Sequence, residues 1–318
     1  MIVPISLVIL GFVALIVGAN YMVSGSAALA KKHNIPDIVI GLTIVALGTS
    51  APELIVSILA ALRGSSDIAL GNVVGSNNIN LFIILGASGV IFPMYVQRGT
   101  AWREIPISFL VAVLLLLLGN GFFLFTDGEI SRWDSGFLLL CFIAFMIYIF
   151  RQTKNQEEVA EEIPKKTFSN LGIWVRILGG LAGLVIGGKL VVDNSVEIAT
   201  VLGLSEKIIG LTVVALGTSL PELATSIAAA WKKNSDIAIG NVVGSNIFNL
   251  LLILSVSGLI QPMTYNDSFN TDLYILLGGT AFLFLSMFIG RKYQIGRLQA
   301  LILLLFYLGY TAYMIQNA

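Results

Sequence analysis

The sequence predicts an all-α membrane protein: ten transmembrane helices arranged as two inverted five-helix repeats, with both termini outside. Three observations predict it: an apolar composition, ten apolar stretches near bilayer length, and a gapless internal repeat. Of 318 residues, 57% are hydrophobic and only 11% charged. A soluble domain cannot hide that much apolar surface, whereas a bilayer accepts it. The formal net charge is zero, so nothing points to nucleic acid. Cys141 is the single cysteine, which excludes an intrachain disulfide and a cysteine-based zinc site and reads as a buried structural thiol.

Taken in order at about 20 residues per span, the first five stretches fall at roughly 3–22, 36–62, 68–93, 104–125 and 132–150. The first lacks a basic segment before its apolar core and is read as a retained helix, not a signal peptide. A hydrophilic linker follows, rich in Glu, Lys and Gln. The last five stretches fall at roughly 171–192, 205–231, 237–262, 271–290 and 296–315. The chain therefore divides into residues 1–150, a cytoplasmic linker at 151–170, and residues 171–318. With ten spans, thirteen Lys and Arg residues, from Lys31 and Lys32 to Arg291, Lys292 and Arg297, fall on one side. Only Arg63, Arg132 and Lys207 fall on the other. The basic side belongs in the cytoplasm, which orients a multi-pass protein of the cell membrane with N and C termini out. His33 reads as part of a short basic loop with Lys31 and Lys32.

Residues 41–86 and 210–255 align without a gap at an offset of 169, with 31 of 46 positions identical. Five spans per copy is an odd number, so the two copies sit in opposite orientations. Inverted pairs of this kind recur in secondary transporters, where exchanging the conformations of the two halves alternates access to a central site. No nucleotide-binding loop or hydrolytic motif accompanies them, so the chain reads as a transporter driven by an ion gradient, not an enzyme, and calls for no cofactor.

The chemistry lies inside the repeated block. Glu53 and Glu222 sit mid-span between apolar residues, where an ionised carboxylate costs roughly 3 kcal/mol on the insertion scale. Such residues mark ion pathways. Each follows a proline, in Gly48-Thr49-Ser50-Ala51-Pro52-Glu53 and Gly217-Thr218-Ser219-Leu220-Pro221-Glu222. The proline frees the carbonyl four residues earlier, at Gly48 and Gly217. Unwound backbone at this depth must be buried or line a cavity. The second half of each block opens Gly-Asn-Val-Val-Gly-Ser-Asn, at 71–77 and 240–246. There Ser76 and Asn80, like Ser245 and Asn249, are four residues apart and share a helix face. Carboxylate, carbonyl, amide and hydroxyl oxygens together suit a hard cation. Asp67 and Asp236 read as helix-capping residues. Asn78, whose repeat partner is Ile247, breaks the symmetry without a sequence explanation.

The paired GTS-x-PE and GN-x-x-GSN-x-x-N motifs resemble the two α-repeats of the calcium/cation antiporter superfamily, in particular its prokaryotic sodium/calcium exchangers. The resemblance covers the whole chain in span count and both blocks in detail. It implies exchange of Na⁺ for Ca²⁺ at a site among spans two, three, seven and eight, with spans one and six sliding to switch access. The metal ligands it implies are Glu53, Glu222, Asn80 and Asn249, joined in ion binding by Thr49, Ser50, Ser76, Thr218, Ser219 and Ser245. Backbone carbonyls of Ala46 and Ala215 complete the implied set. The implied partners are the two ions and the lipid bilayer, and the fold can work as a monomer. Some relatives of this kind carry aspartate where this chain has Asn249, so two carboxylates face the ions here. A proton/calcium antiporter and a passive cation channel are the alternatives.

Overall fold

A computed structural model describes residues 2–33, 35–121, 128–153, 168–201 and 215–317. They are helical almost throughout, because within a bilayer an apolar run can satisfy its backbone only from its own carbonyls. The first half contains α1 (Ile2–His33), α2 (Asp37–Thr49), α3 (Ala51–Leu62) and α4 (Ser66–Ile91). It continues with β1 (Met94–Tyr95), α5 (Arg98–Gly119), β2 (Glu129–Ile130) and α6 (Arg132–Thr153). The second half contains α7 (Asn170–Val201), α8 (Ala215–Thr218), α9 (Leu220–Trp231) and α10 (Ser235–Ile260). It ends with β3 (Met263–Thr264), α11 (Phe269–Ser286), β4 (Gln294–Ile295) and α12 (Arg297–Asn317). Among the described residues seven helices are long and apolar enough to cross a membrane, and α2 with α3 makes an eighth if that bent pair is one span. Residues 202–214, the start of the seventh expected stretch, lie outside the described residues, as does most of the linker.

The long central helices α4 and α10 are the most enclosed, whereas α1, α6 and α7 turn most of their surface outward. That surface is apolar, with Ile9, Leu10, Leu140 and Leu171 exposed, as lipid contact requires. Two short antiparallel ladders were not foreseen. β1 pairs with β4, and β2 with β3, so each ladder joins a loop of one half to a loop of the other. Arg132 and Arg297 complete these corners: Arg132 donates to the carbonyls of Leu259 and Ile260, and Arg297 to those of Val90 and Ile91.

Helices α1 and α7 extend about ten residues past the expected spans, to 32 residues each. Lys31, Lys32 and His33 accordingly form the last turn of α1 and not a loop, where cations suit the negative end of the helix dipole. The two helices pack backbone to backbone. A Cβ on Gly180 would stand 2.6 Å from the Met22 nitrogen and 2.7 Å from the Gly18 oxygen, and one on Gly18 would stand 2.8 Å from the Gly180 oxygen. Such small-residue seams let membrane helices approach closely, and here they make α1 and α7 one unit.

This unit meets the two halves unequally. Helix α1 lies along α9, whose Ala224 and Ala228 offer small side chains. Lys232, just past α9, donates from Nζ to the Asn20 carbonyl at 3.0 Å and the Ser24 hydroxyl at 2.9 Å. Partial burial holds the Lys232 ammonium below the ordinary lysine pKa. On α3 the matching residues are Ile55 and Leu59, which are 55% and 47% exposed.

Two further expectations are corrected at this level. Asp67 and Asp236 are not caps: both lie in the first helical turn, and at α10 the cap is Asn234, whose side chain accepts from the Ile237 nitrogen. Asp236 instead accepts from Gln97 Nε2 at 2.7 Å. Cys141 is partly exposed on α6 and not buried. Asn78 gains an explanation: it donates from Nδ2 to the Asp272 carbonyl at 3.1 Å, tying α4 to α11.

Candidate ion-binding site

The repeated block places its break at a serine. The chain leaves helical geometry at Ser50 (φ −80°, ψ 7°) and at Ser219 (φ −87°, ψ 5°). Helices α2 and α3 meet there at 47°. Pro52 and Pro221 then fall in the first turn of the new helix, where a missing N–H costs nothing. The break itself falls at Ser50 and Ser219, two residues past the Gly48 and Gly217 carbonyls that the prolines were expected to free. Glu53 and Glu222 occupy the first turn after each break and are 1% exposed.

Each carboxylate is held by the other half of the chain. Ser50 donates to Glu222 Oε1 at 2.9 Å and lies 3.0 Å from Ser245 Oγ. Ser219 donates to Glu53 Oε1 at 3.2 Å and lies 3.2 Å from Ser76 Oγ, which is itself 3.5 Å from Glu53 Oε1. Thr49 Oγ1 donates to Asn241 Oδ1 at 3.0 Å, and Thr218 Oγ1 to Asn72 Oδ1 at 3.3 Å. The same bonds recur at the sequence offset of 169 (241 − 72), so the internal repeat is also a repeat of contacts.

Asn80 and Asn249 lie where α4 and α10 widen into π-helical turns, Ile79–Ile84 and Asn249–Ile253. Such bulges are frequent at functional sites. Each of these side chains donates across the halves: Asn80 Nδ2 to Asn246 Oδ1 at 3.1 Å, and Asn249 Nδ2 to Asn77 Oδ1 at 3.0 Å. Glu53 Oε2, Glu222 Oε2, Asn80 Oδ1 and Asn249 Oδ1 are left buried with no hydrogen-bond partner among the described residues. An unpaired buried polar group costs about 1–3 kcal/mol and a charged one more. These four oxygens fit a hard cation that prefers carboxylate and amide oxygen.

All the side chains expected from the sequence are buried in this region: Thr49, Ser50, Ser76, Thr218, Ser219 and Ser245 with the two glutamates and two asparagines. The Ala46 carbonyl accepts the Ser50 N–H at 3.0 Å and lies 3.4 Å from Thr49 Oγ1. Ala215 begins α8, and its side chain lies outside the described set. No group of three or more His, Cys, Asp or Glu side chains suited to a metal occurs among the described residues. The oxygens gathered beside the two carboxylates belong to amides and hydroxyls.

Sequence reasoning passed over four asparagines. Asn72 Nδ2 donates to the Glu53 carbonyl at 3.1 Å and to Ser57 Oγ at 2.9 Å. Asn241 Nδ2 does the same for the Glu222 carbonyl at 3.3 Å and Ser226 Oγ at 2.9 Å. Asn77 and Asn246 hold the amides of Asn249 and Asn80. The available signal was that all four are polar and identical between the two copies of the block.

The sequence pattern of the family described as "Sodium/calcium exchanger protein" matches residues 3–151 and 172–316. The chain is 33% identical to Sodium/calcium exchanger MaX1 of Methanosarcina acetivorans, over 96% of each chain. It is 34% identical to Inner membrane protein YrbG of Escherichia coli, over 86% of this chain and 87% of that one. A solved structure of the sodium-calcium exchanger NCX_Mj, soaked with Na⁺ and Sr²⁺, superposes with a TM-score of 0.82 at 32% identity, over 98% of both chains.

Proposed function

Because the chain belongs to the sodium/calcium exchanger protein family, we propose that it exchanges Na⁺ for Ca²⁺ across the cell membrane, binding both at the Glu53–Glu222 centre. The observation that carries this reading is the set of four buried, unpartnered oxygens, two from carboxylates and two from amides. Glu53, Glu222, Asn80 and Asn249 are the primary ligands. The hydroxyls of Thr49, Ser50, Ser76, Thr218, Ser219 and Ser245 and the carbonyls of Ala46 and Ala215 supply the remaining oxygens along the ion path. Two carboxylates balance one Ca²⁺ or two Na⁺, so either load leaves the site neutral. That equivalence is the electrostatic basis of exchange, since a site emptied of cations carries two buried negative charges.

The chain is read as ten crossings in two inverted repeats, 1–150 and 171–318, with both termini outside. The two ladders support that reading: each joins loops that the ten-span count places on the same side. In this reading α1 and α7 form the moving unit, sliding against the core of α2–α4 and α8–α10. The seam of α1 on α9, with Lys232 on its backbone, closes the cytoplasmic approach. The exposed Ile55 and Leu59 mark the uncovered outer approach.

Purified protein in liposomes loaded with Na⁺ is expected to take up labelled Ca²⁺ only while the outward Na⁺ gradient lasts. Uptake driven instead by a pH gradient without Na⁺ would assign the protein to proton coupling. Downhill Ca²⁺ flux with no counter-ion requirement would make it a channel.

A further inference from the structure

We propose that Asn77 and Asn246 set the polarity of the cation site, acting as positioning residues that force the amides of Asn249 and Asn80 to present oxygen, not N–H, to the ion. The inference rests on the cation-site reading above and adds to it why asparagine can serve there. An asparagine side chain is ambiguous as a ligand, because one end of the amide accepts and the other donates. Left free, its amide is as able to turn –NH₂ toward the site, where it would repel a cation.

The chain of bonds removes the ambiguity from a fixed point. A backbone carbonyl can only accept. Asn77 Nδ2 donates to the Asn246 carbonyl at 3.1 Å, so Asn77 Oδ1 must face the other way. Asn77 Oδ1 then demands a donor, and it receives Asn249 Nδ2 at 3.0 Å. Asn249 Oδ1 is left pointing away from this partner, buried and unpaired. On the mirror side Asn246 Oδ1 receives Asn80 Nδ2 at 3.1 Å, and Asn80 Oδ1 is likewise left. Asn77 and Asn246 are 0% and 3% exposed, so water does not compete for these bonds. Along the arm from Asn77 to Asn249 the orientation of each amide follows from the partner that holds it, and the first partner is a main-chain atom.

A carboxylate at position 249 would have no such polarity, because both its ends are oxygen. That difference supplies the test. Equilibrium binding of labelled Ca²⁺ is measured on the purified full chain and on Asn77→Ala, Asn249→Asp and the double variant, each checked for folding by its thermal transition. With Asn249 present, Asn77→Ala is expected to weaken Ca²⁺ binding by about tenfold or more, the scale of lost ligand-orienting contacts. In the Asn249→Asp background, the same change is expected to cost less than about threefold, since the orienting acceptor is no longer needed. Equal losses in both backgrounds would make Asn77 a packing residue and overturn the proposal. Should Asn77→Ala fail to fold, Asn246→Ala with Asn80→Asp reads the mirror bond by the same criterion. An unsubstituted protein that binds no Ca²⁺ would remove the site reading itself, and the proposal with it.

Discussion

Glu53→Gln and Glu222→Gln are each expected to abolish Na⁺-dependent Ca²⁺ uptake while the protein stays folded. Glutamine has nearly the shape of glutamate, so the serine bonds to Glu53 and Glu222 have a carbonyl to replace the carboxylate oxygen. What disappears is one of the two charges that offset a divalent ion in a water-poor centre. Removing one partner of a buried charge pair costs about 3–5 kcal/mol, which is about a hundredfold or more in affinity. Because the two residues are equally buried and each accepts a serine hydroxyl from the other half, both variants should fail to a similar degree. Uptake in liposomes together with a thermal transition reads both halves of the expectation. An unchanged rate in either variant would remove that residue from the site.

Asn72→Ala and Asn241→Ala carry the second large effect, and it appears in stability as well as in transport. Each asparagine occupies three groups at once: the carbonyl of the adjacent-helix glutamate, a serine hydroxyl one turn further on, and a threonine hydroxyl of the opposite half. Alanine makes none of these bonds. At about 1–3 kcal/mol for each buried group left unsatisfied, the loss is a large share of a typical domain's total stability. The thermal transition should fall clearly below that of the unsubstituted chain, and Ca²⁺ uptake should fall by about tenfold or more as the first turns of α3 and α9 lose their brace. The matched geometry makes the two variants near-equivalents. A variant with unchanged melting and unchanged uptake would show that the brace is dispensable.

The sequence made legible whatever depends on composition and local pattern. Spans are legible because a bilayer imposes a length on apolar runs, and the glutamates because a carboxylate among such runs is costly. The repeat pointed to Ser50, Ser76, Ser219 and Ser245, and the structure brings Ser50, Ser76 and Ser219 onto the carboxylates and Ser245 against Ser50. What escaped the reading depends on partners far away in the chain. Asn72 and Asn77 look like ordinary helix polar residues until Thr218, Asn246 and Asn249, more than 140 positions on, come into bond distance. The break at Ser50 was not located from the sequence because proline suggests a kink within a helix, whereas here it starts a new one. The length of α1 and α7 was underestimated because their ends carry Lys, Asp and Glu that end an apolar run without ending a helix. Asn78 could not be explained without α11, since its bond is to a main-chain carbonyl there.

The central claim is that one set of oxygens, carrying two negative charges, holds either Ca²⁺ or Na⁺. Displacement of labelled Ca²⁺ by Na⁺ at equilibrium tests it most directly, using purified protein at constant pH and ionic strength. If two or more Na⁺ replace each Ca²⁺ at the same oxygens, the displacement curve is steeper than that of a single competing ion, and Glu53→Gln removes Ca²⁺ binding and Na⁺ competition together. Ca²⁺ that stays bound at every Na⁺ concentration, or that survives Glu53→Gln with its Na⁺ response intact, would contradict the account.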